Sequence, residues 1–155
     1  MEYPDERHPD LVQRLAALVN DDTCTLSDWN AEEIAAEYLQ IFSIAASGKR
    51  TVPYAAWWRD GQLQGPAFRR IETFYTEQGY ALDPEEPLLA DHLSVMLRFL
   101  SILIEEGERE TAKAFSRFLT WLNDFEKSLE STSVLCSFPM AARAAARIVA
   151  SLNTP

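Results

Sequence analysis

Residues 85–130 read EEPLLADHLSVMLRFLSILIEEGERETAKAFSRFLTWLNDFEKSLE. Apolar side chains recur there at every third or fourth position, and nothing alternates with period two. The spacing predicts two helices. The first runs from Leu88 to about Glu106, opened by Pro87 and closed by Gly107. Its apolar residues go nearly all the way round, which marks a central, buried helix. The second runs from Glu108 to about Leu129 and is amphipathic, with Phe115, Leu119, Leu122, Phe125 and Leu129 on one face.

The same periodicity extends outward from this pair. Towards the N-terminus, Pro66 suits the first position of a helix, where its missing N–H costs nothing. Phe68, Ile71, Phe74 and Tyr75 form the apolar face of that helix, and Gly79 stops it. Another helix starts near Asn30, a side chain able to cap free N–H groups, with Glu33 at the capping-box position. Its inner face is Ile34, Tyr38, Ile41, Phe42 and Ala45, and it ends near Ser47-Gly48. A first helix spans about Pro9 to Asn20, with Leu11, Leu15, Leu18 and Val19 inward. On the C-terminal side a last helix begins at Ser137 and runs to about Leu152, rich in alanines that allow close approach. The chain is expected to be all-α, a bundle of about six helices in one domain over residues 1–155.

Between the second and third helices lies the longest irregular segment, residues 49–65. It carries Pro53, the turn RDG and the pair Gly65-Pro66. It also carries Tyr54, Trp57 and Trp58. Large aromatics are unusual in a connecting loop. They either plug the bundle from one side or form a partly exposed apolar platform for a partner.

Composition narrows the function classes. The 155 residues hold 24 acidic and 14 basic side chains, a net charge of −10. A nucleic-acid binder needs a basic stripe to displace counterions, so that class is excluded. The acid excess suits a basic partner, or solubility alone. Cys24 and Cys136 are far apart and make no metal spacing, so both are expected as reduced thiols in a cytoplasmic protein. The opening MEYPDERHPD is too polar for a leader peptide. No apolar run reaches a membrane-spanning length, since Asp91, His92 and Arg98 interrupt the best candidate.

Chemistry-bearing motifs are few. There is no phosphate-cradling glycine loop and no HExxH. The two histidines, His8 and His92, supply no metal cluster, and no catalytic set or cofactor site is expected. Asp91-His92 is the pair worth weighing. On a helix, neighbours point about 100° apart and do not face each other as a dyad. They either cap the helix and satisfy a backbone carbonyl, or form an acidic, hydrogen-bonding edge on a groove that suits a cationic peptide.

The order of features resembles the TorD/DmsD/NarJ-like family of maturation chaperones for molybdenum redox enzymes. EYPDE at residues 2–6 is similar to the end of that family's first helix and its tyrosine-proline turn. AAEYLQIF at 35–42 is similar to a helix ending in Leu-Phe. VPYAAWWRDGQLQGPAFRR at 52–70 resembles the Pro-aromatic loop, short turn and following helix. EEPLLADHLSVMLRFLSIL at 85–103 resembles the Pro-x-Asp-His-Leu helix, with Leu88, Leu89 and Ala90 between Pro87 and Asp91. FLTWLNDFEKSLE and the alanine-rich helix resemble the C-terminal pair.

The resemblance implies a cytoplasmic all-helical binding protein without enzymatic activity. It would hold the N-terminal, twin-arginine type leader of the apo form of a molybdenum redox enzyme until the cofactor is inserted. The residues implied for peptide binding are Pro53, Tyr54, Asp91 and His92, with Trp57 and Trp58 in the same loop. No nucleic acid and no stable membrane insertion are expected, and a homodimer is left open. Two alternatives stand beside it. One is a small hydrolase using His92 as general base. The other is a helical regulatory subunit that binds a folded partner through the aromatic loop.

Overall fold

The structure, a computed structural model, describes residue 14, residues 17–19, 31–42 and 51–153. Its long helices are α1 (Ala31–Phe42), α2 (Ala55–Asp60), α3 (Pro66–Glu77), α4 (Leu93–Glu105), α5 (Arg109–Ser116), α6 (Leu122–Thr132) and α7 (Ser137–Ser151). A 3₁₀ turn, Arg117–Leu119, follows α5. The described residues contain no strand, only an isolated antiparallel bridge, so the all-α expectation holds. No described helix is long and apolar enough to cross a membrane.

Two compact units divide the chain. One comprises the described residues of Met1–Val52 with Leu122–Ile148, the other Pro53–Trp121 with the residues from Val149 onward. In the first unit Tyr38 and Phe42 of α1 meet Phe138 of α7, at ring centroids 6.3 and 5.5 Å apart. Phe42 also stacks on Phe125 of α6. Glu37, on the same helix, is buried. Its Oε1 accepts hydrogen bonds from the Ser133 hydroxyl and from the amides of Val134 and Leu135. That carboxylate thus ties α1 to the turn between α6 and α7. Arg143 bridges Glu126 and Glu130 at 2.8 and 2.5 Å.

The second unit is built round an aromatic cluster. Phe99 of α4 meets Tyr75 at 4.6 Å, Phe115 at 4.8 Å and Tyr80 at 4.9 Å, all close to edge-on. Edge-to-face contact of this kind suits the ring quadrupoles and adds to the burial of the rings. Met96, Leu100, Leu103, Ile71 and Leu119 close the core.

Four expectations are corrected. The aromatic segment is not wholly irregular, because Ala55–Asp60 winds into α2. The helix expected from Leu88 begins only at Leu93, with His92 as its N-cap. The carbonyls of 90 and 91 are instead spent on partners elsewhere: that of Ala90 accepts the Tyr75 hydroxyl, and that of Asp91 accepts the Ala55 amide. The helix expected over 108–129 breaks after Ser116, where the Arg59 guanidinium takes the Arg117 carbonyl and the Thr120 hydroxyl. Finally, Cys136 is no reduced thiol but is disulfide-bonded.

Elsewhere expectation and structure mostly agree. Pro66 does open α3, and α7 keeps its start at Ser137. Val19 is buried as expected, whereas Leu18 is 41% exposed rather than inward. The expectations for Cys24, Asn30, Ala45, Ser47-Gly48 and the first residues lie outside the described residues.

Candidate peptide-binding site

Pro53 and Tyr54 approach the chain from one side and Asp91 and His92 from the other. Tyr54 and His92 form the antiparallel bridge. Its hydrogen bonds run from the Ala55 amide to the Asp91 carbonyl, 3.0 Å, and from the Leu93 amide to the Pro53 carbonyl, 2.8 Å. The Tyr54 ring stands edge-on to the His92 ring, with centroids 4.9 Å apart. Pro53 suits this position because only its carbonyl is needed there. The two motifs, remote in sequence, are therefore one backbone-locked element.

Asp91 faces inward, with 0% exposure. Its Oδ2 accepts the Ala56 amide at 2.8 Å, in the first turn of α2. Oδ1 is buried and has no hydrogen-bond partner among the described residues. Burial pushes its carboxyl above the usual range; the Ala56 amide and its own amide pull the other way, and Asp60 adds to the rise. This carboxylate holds α2 in place and does not reach solvent.

His92 is the group that stays reachable. Its Nδ1 accepts the Ser94 amide at 3.2 Å and lies 2.7 Å from the Ser94 hydroxyl. A nitrogen that accepts carries no proton in the neutral ring, so the hydrogen bonds assign the proton to Nε2. Burial lowers the ring's pKa to about 4, against the opposing pull of the Glu86 charge. At neutral pH His92 is a neutral N–H donor. Such a ring is a poor general base. Asp91 turns to the Ala56 amide and Ser94 holds the ring at Nδ1, so Asp91 and His92 do not form the dyad that the hydrolase alternative would use.

Trp57 and Trp58 follow on α2, both partly exposed. Trp58 stacks nearly parallel to the buried Trp121, centroids 6.3 Å apart. One face of its ring is thus supported. The turn after α2 is fixed by Asp60, whose Oδ2 accepts the Ala67 amide at 2.7 Å and so serves the N-terminus of α3. Gly65 is required there: a Cβ on it would lie 2.6 Å from Asp60 Oδ2. Gly61, at φ 70°, ends α2 in the left-handed region and returns its amide to the Trp57 carbonyl.

Close in sequence to His92, and within the same unit, a cavity of about 110 Å³ opens between Tyr80, Leu82, Val95, Phe99 and Ile102. Asp83 and Arg98 also line it. Arg98 pairs with Glu86 at 2.5 Å and holds that carboxyl below its usual range. Asp83 and Glu85 stay exposed. Residues 80–87 lie between the helices expected to stop at Gly79 and to start at Leu88, and nothing in that spacing points to an apolar hollow with acids beside it. The signal was present in the run DPEEP following Tyr80 and Leu82, but only the fold of α3 against α4 makes a cavity of it. The described residues include no group of three or more His, Cys, Asp or Glu side chains able to hold a metal.

Comparison with known proteins gives consistent relatives. The model of the family described as nitrate reductase delta subunit matches residues 5–131. The chain is 28% identical over 109 residues to the "Chaperone protein TorD" of Actinobacillus succinogenes, covering 68% of this chain and 55% of that protein. It is 26% identical over 108 residues to the protein of the same name from Aggregatibacter aphrophilus, covering 68% and 52%. The chain thus spans about half the length of the curated relatives it matches. No solved structure matches it.

Proposed function

This chain belongs to the nitrate reductase delta subunit family, with TorD chaperones among its relatives, and on that premise we propose that it is a maturation chaperone for a molybdenum redox enzyme. It is a binding protein and not an enzyme. Its client is the apo enzyme, held through an N-terminal leader of twin-arginine type until the cofactor is in place. The compartment proposed is the cytoplasm. Cytoplasmic thiols are mostly kept reduced, so the Cys136 disulfide makes alkylation of the protein in intact cells a direct test of that placement.

The observation that carries this reading is the bridge between Tyr54 and His92. It joins the Pro-Tyr and Asp-His motifs into one element that leaves Tyr54 and His92 partly exposed, next in sequence to a cavity with acids around it. A leader with paired arginines followed by an apolar stretch presents the complementary chemistry. Asp83 and Glu85 are exposed carboxylates able to take guanidinium groups, whose planar forks suit bidentate pairing. The hollow between Tyr80, Phe99 and Ile102 takes an apolar side chain. His92 Nε2–H and the Tyr54 ring offer a donor and a face to the peptide backbone, and Trp57 and Trp58 extend the apolar surface. Pro53 and Asp91 act as positioning residues.

A labelled twin-arginine leader peptide titrated into the full chain tests the proposal. The expected result is saturable binding that weakens as salt rises and falls when both arginines become lysines, since lysine lacks the bidentate fork. Equal binding of an unrelated apolar peptide without arginines would overturn it.

A further inference from the structure

A second cavity, of about 180 Å³, lies in the same unit between Ala55, Ala67, Ile71 and Phe118, with Arg59 and Arg70 completing its lining. Its floor is apolar: Ala55, Ala67 and Ile71 are buried side chains. An apolar cavity of about 150 Å³ is large enough to take a benzene ring, so there is room for one aromatic or branched side chain. Both arginines are exposed, and neither has a carboxylate within ion-pair distance among the described residues. In contrast, Arg98 and Arg143 are paired with glutamates. Arg59 is held in place, because its Nη2 donates to the Arg117 carbonyl and the Thr120 hydroxyl. Its guanidinium has five N–H donors in a fixed fork, and these two bonds leave others for a ligand.

We propose that this cavity is a second docking site, which receives an apolar side chain flanked by carboxylates from an acidic segment of a partner protein. The commitment to an acidic occupant rests on charge. The whole chain carries −10, so an acidic segment is repelled from most of its surface; here two arginines without ion-pair partners among the described residues outnumber the one carboxylate beside them, Asp60, which is held on the Ala67 amide. The same two arginines repel a basic leader. The site is therefore distinct from the one proposed for the leader, and it stands whether or not that proposal does.

The probe is a short synthetic peptide with a central phenylalanine between glutamates, titrated into the full chain. The wild type should bind it, and binding should weaken with salt. Arg70→Glu should weaken binding about tenfold or more. Arg70 makes no described side-chain contact, so the fold should survive; Arg70→Gln, which only removes the charge, should give a smaller loss in the same direction. Replacing the phenylalanine by serine should also cost about tenfold, as an apolar anchor is lost from its pocket. A twin-arginine peptide titrated into Arg70→Glu should bind as it does to the wild type. The proposal is overturned if the acidic peptide does not bind the wild type, or if both Arg70 variants bind it unchanged. It is equally overturned if the serine peptide or inorganic phosphate competes as well, since the site would then take any anion. Displacement of the acidic peptide by the leader peptide would mean one shared site and would overturn it too.

Discussion

Asp91 Oδ2 accepts the Ala56 amide at 2.8 Å, and this bond joins the end of one family-like motif to the helix that follows the other. The carboxylate lies beneath the Tyr54–His92 element and not upon it. Its removal should act on stability before it acts on binding. Asp91→Ala leaves a buried amide unsatisfied and a void, and should cost about 2–4 kcal/mol. Asp91→Asn keeps an acceptor for Ala56 and should cost less than half as much. Denaturant unfolding and leader affinity measured on both variants decide the matter. A loss of affinity in a fully folded Asp91→Asn protein would show that the carboxylate contacts the peptide itself.

His92 sets a pH dependence whose sign follows from its lowered pKa of about 4. In the unfolded chain the imidazole gains a proton near its ordinary 6.5; in the folded protein it resists until about pH 4. Between those values the unfolded state binds more protons, so stability is complete above pH 6.5 and falls as the pH drops to 4. The loss should be about 2–3 kcal/mol. Asp91, raised in the fold, works in the opposite sense and flattens the acid side of the profile. His92→Gln should remove the His92 component, visible as a smaller fall in unfolding free energy from pH 6.5 to 4.

Glu37 accepts three hydrogen bonds from the turn between α6 and α7 through one oxygen. Glu37→Ala orphans two backbone amides, while the Ser133 hydroxyl keeps the Leu135 carbonyl, and should destabilise by about 2–4 kcal/mol. Glu37→Gln, which keeps a neutral acceptor, should lose about 1 kcal/mol. Chemical denaturation of the two variants gives the comparison. Equal losses would mean that the turn does not depend on an acceptor at Glu37.

Gly65 and Asp60 are coupled by a steric limit. Gly65→Ala drives a Cβ against Asp60 Oδ2 and should destabilise by about 1–3 kcal/mol. An Asp60→Ala background removes the contacts at Oδ2 and Cγ and leaves only the Cβ of residue 60, 3.0 Å away, so the same substitution should cost less. A double-mutant cycle that shows no coupling would refute the close approach as the reason for glycine.

Trp58 rests on Trp121, and Trp57 sits beside it on α2, so the two indoles should respond differently to a ligand. Trp57→Phe and Trp58→Phe variants should each lose part of the fluorescence change on leader binding, with no loss of fold. An unchanged response in both would assign the aromatic segment a packing role alone.

The sequence by itself determined the class of fold and the order of its helices. Period-three-and-four apolar spacing, Pro66 and the glycines at 61, 79 and 107 are local signals, and local backbone preference obeys them. The Pro-Tyr and Asp-His pairs are linked there only through a family resemblance, and the bridge between Tyr54 and His92 belongs to the tertiary structure. What the sequence did not contain was the environment of each side chain. Pro87 reads as a helix start, yet the Ala90 and Asp91 carbonyls bond Tyr75 and the Ala55 amide, and α4 waits until Leu93. Residues 108–129 read as one helix, yet Arg59, far away in sequence, takes the Arg117 carbonyl at the break. Asp91 reads either as a helix cap or as an acidic edge for a cationic peptide, yet the Ala56 amide, remote in sequence, claims it in the interior. Each difference has the same cause. A hydrogen bond made between segments remote in the chain outweighs a local preference worth less than about 1 kcal/mol per residue, and only the tertiary structure brings those partners together.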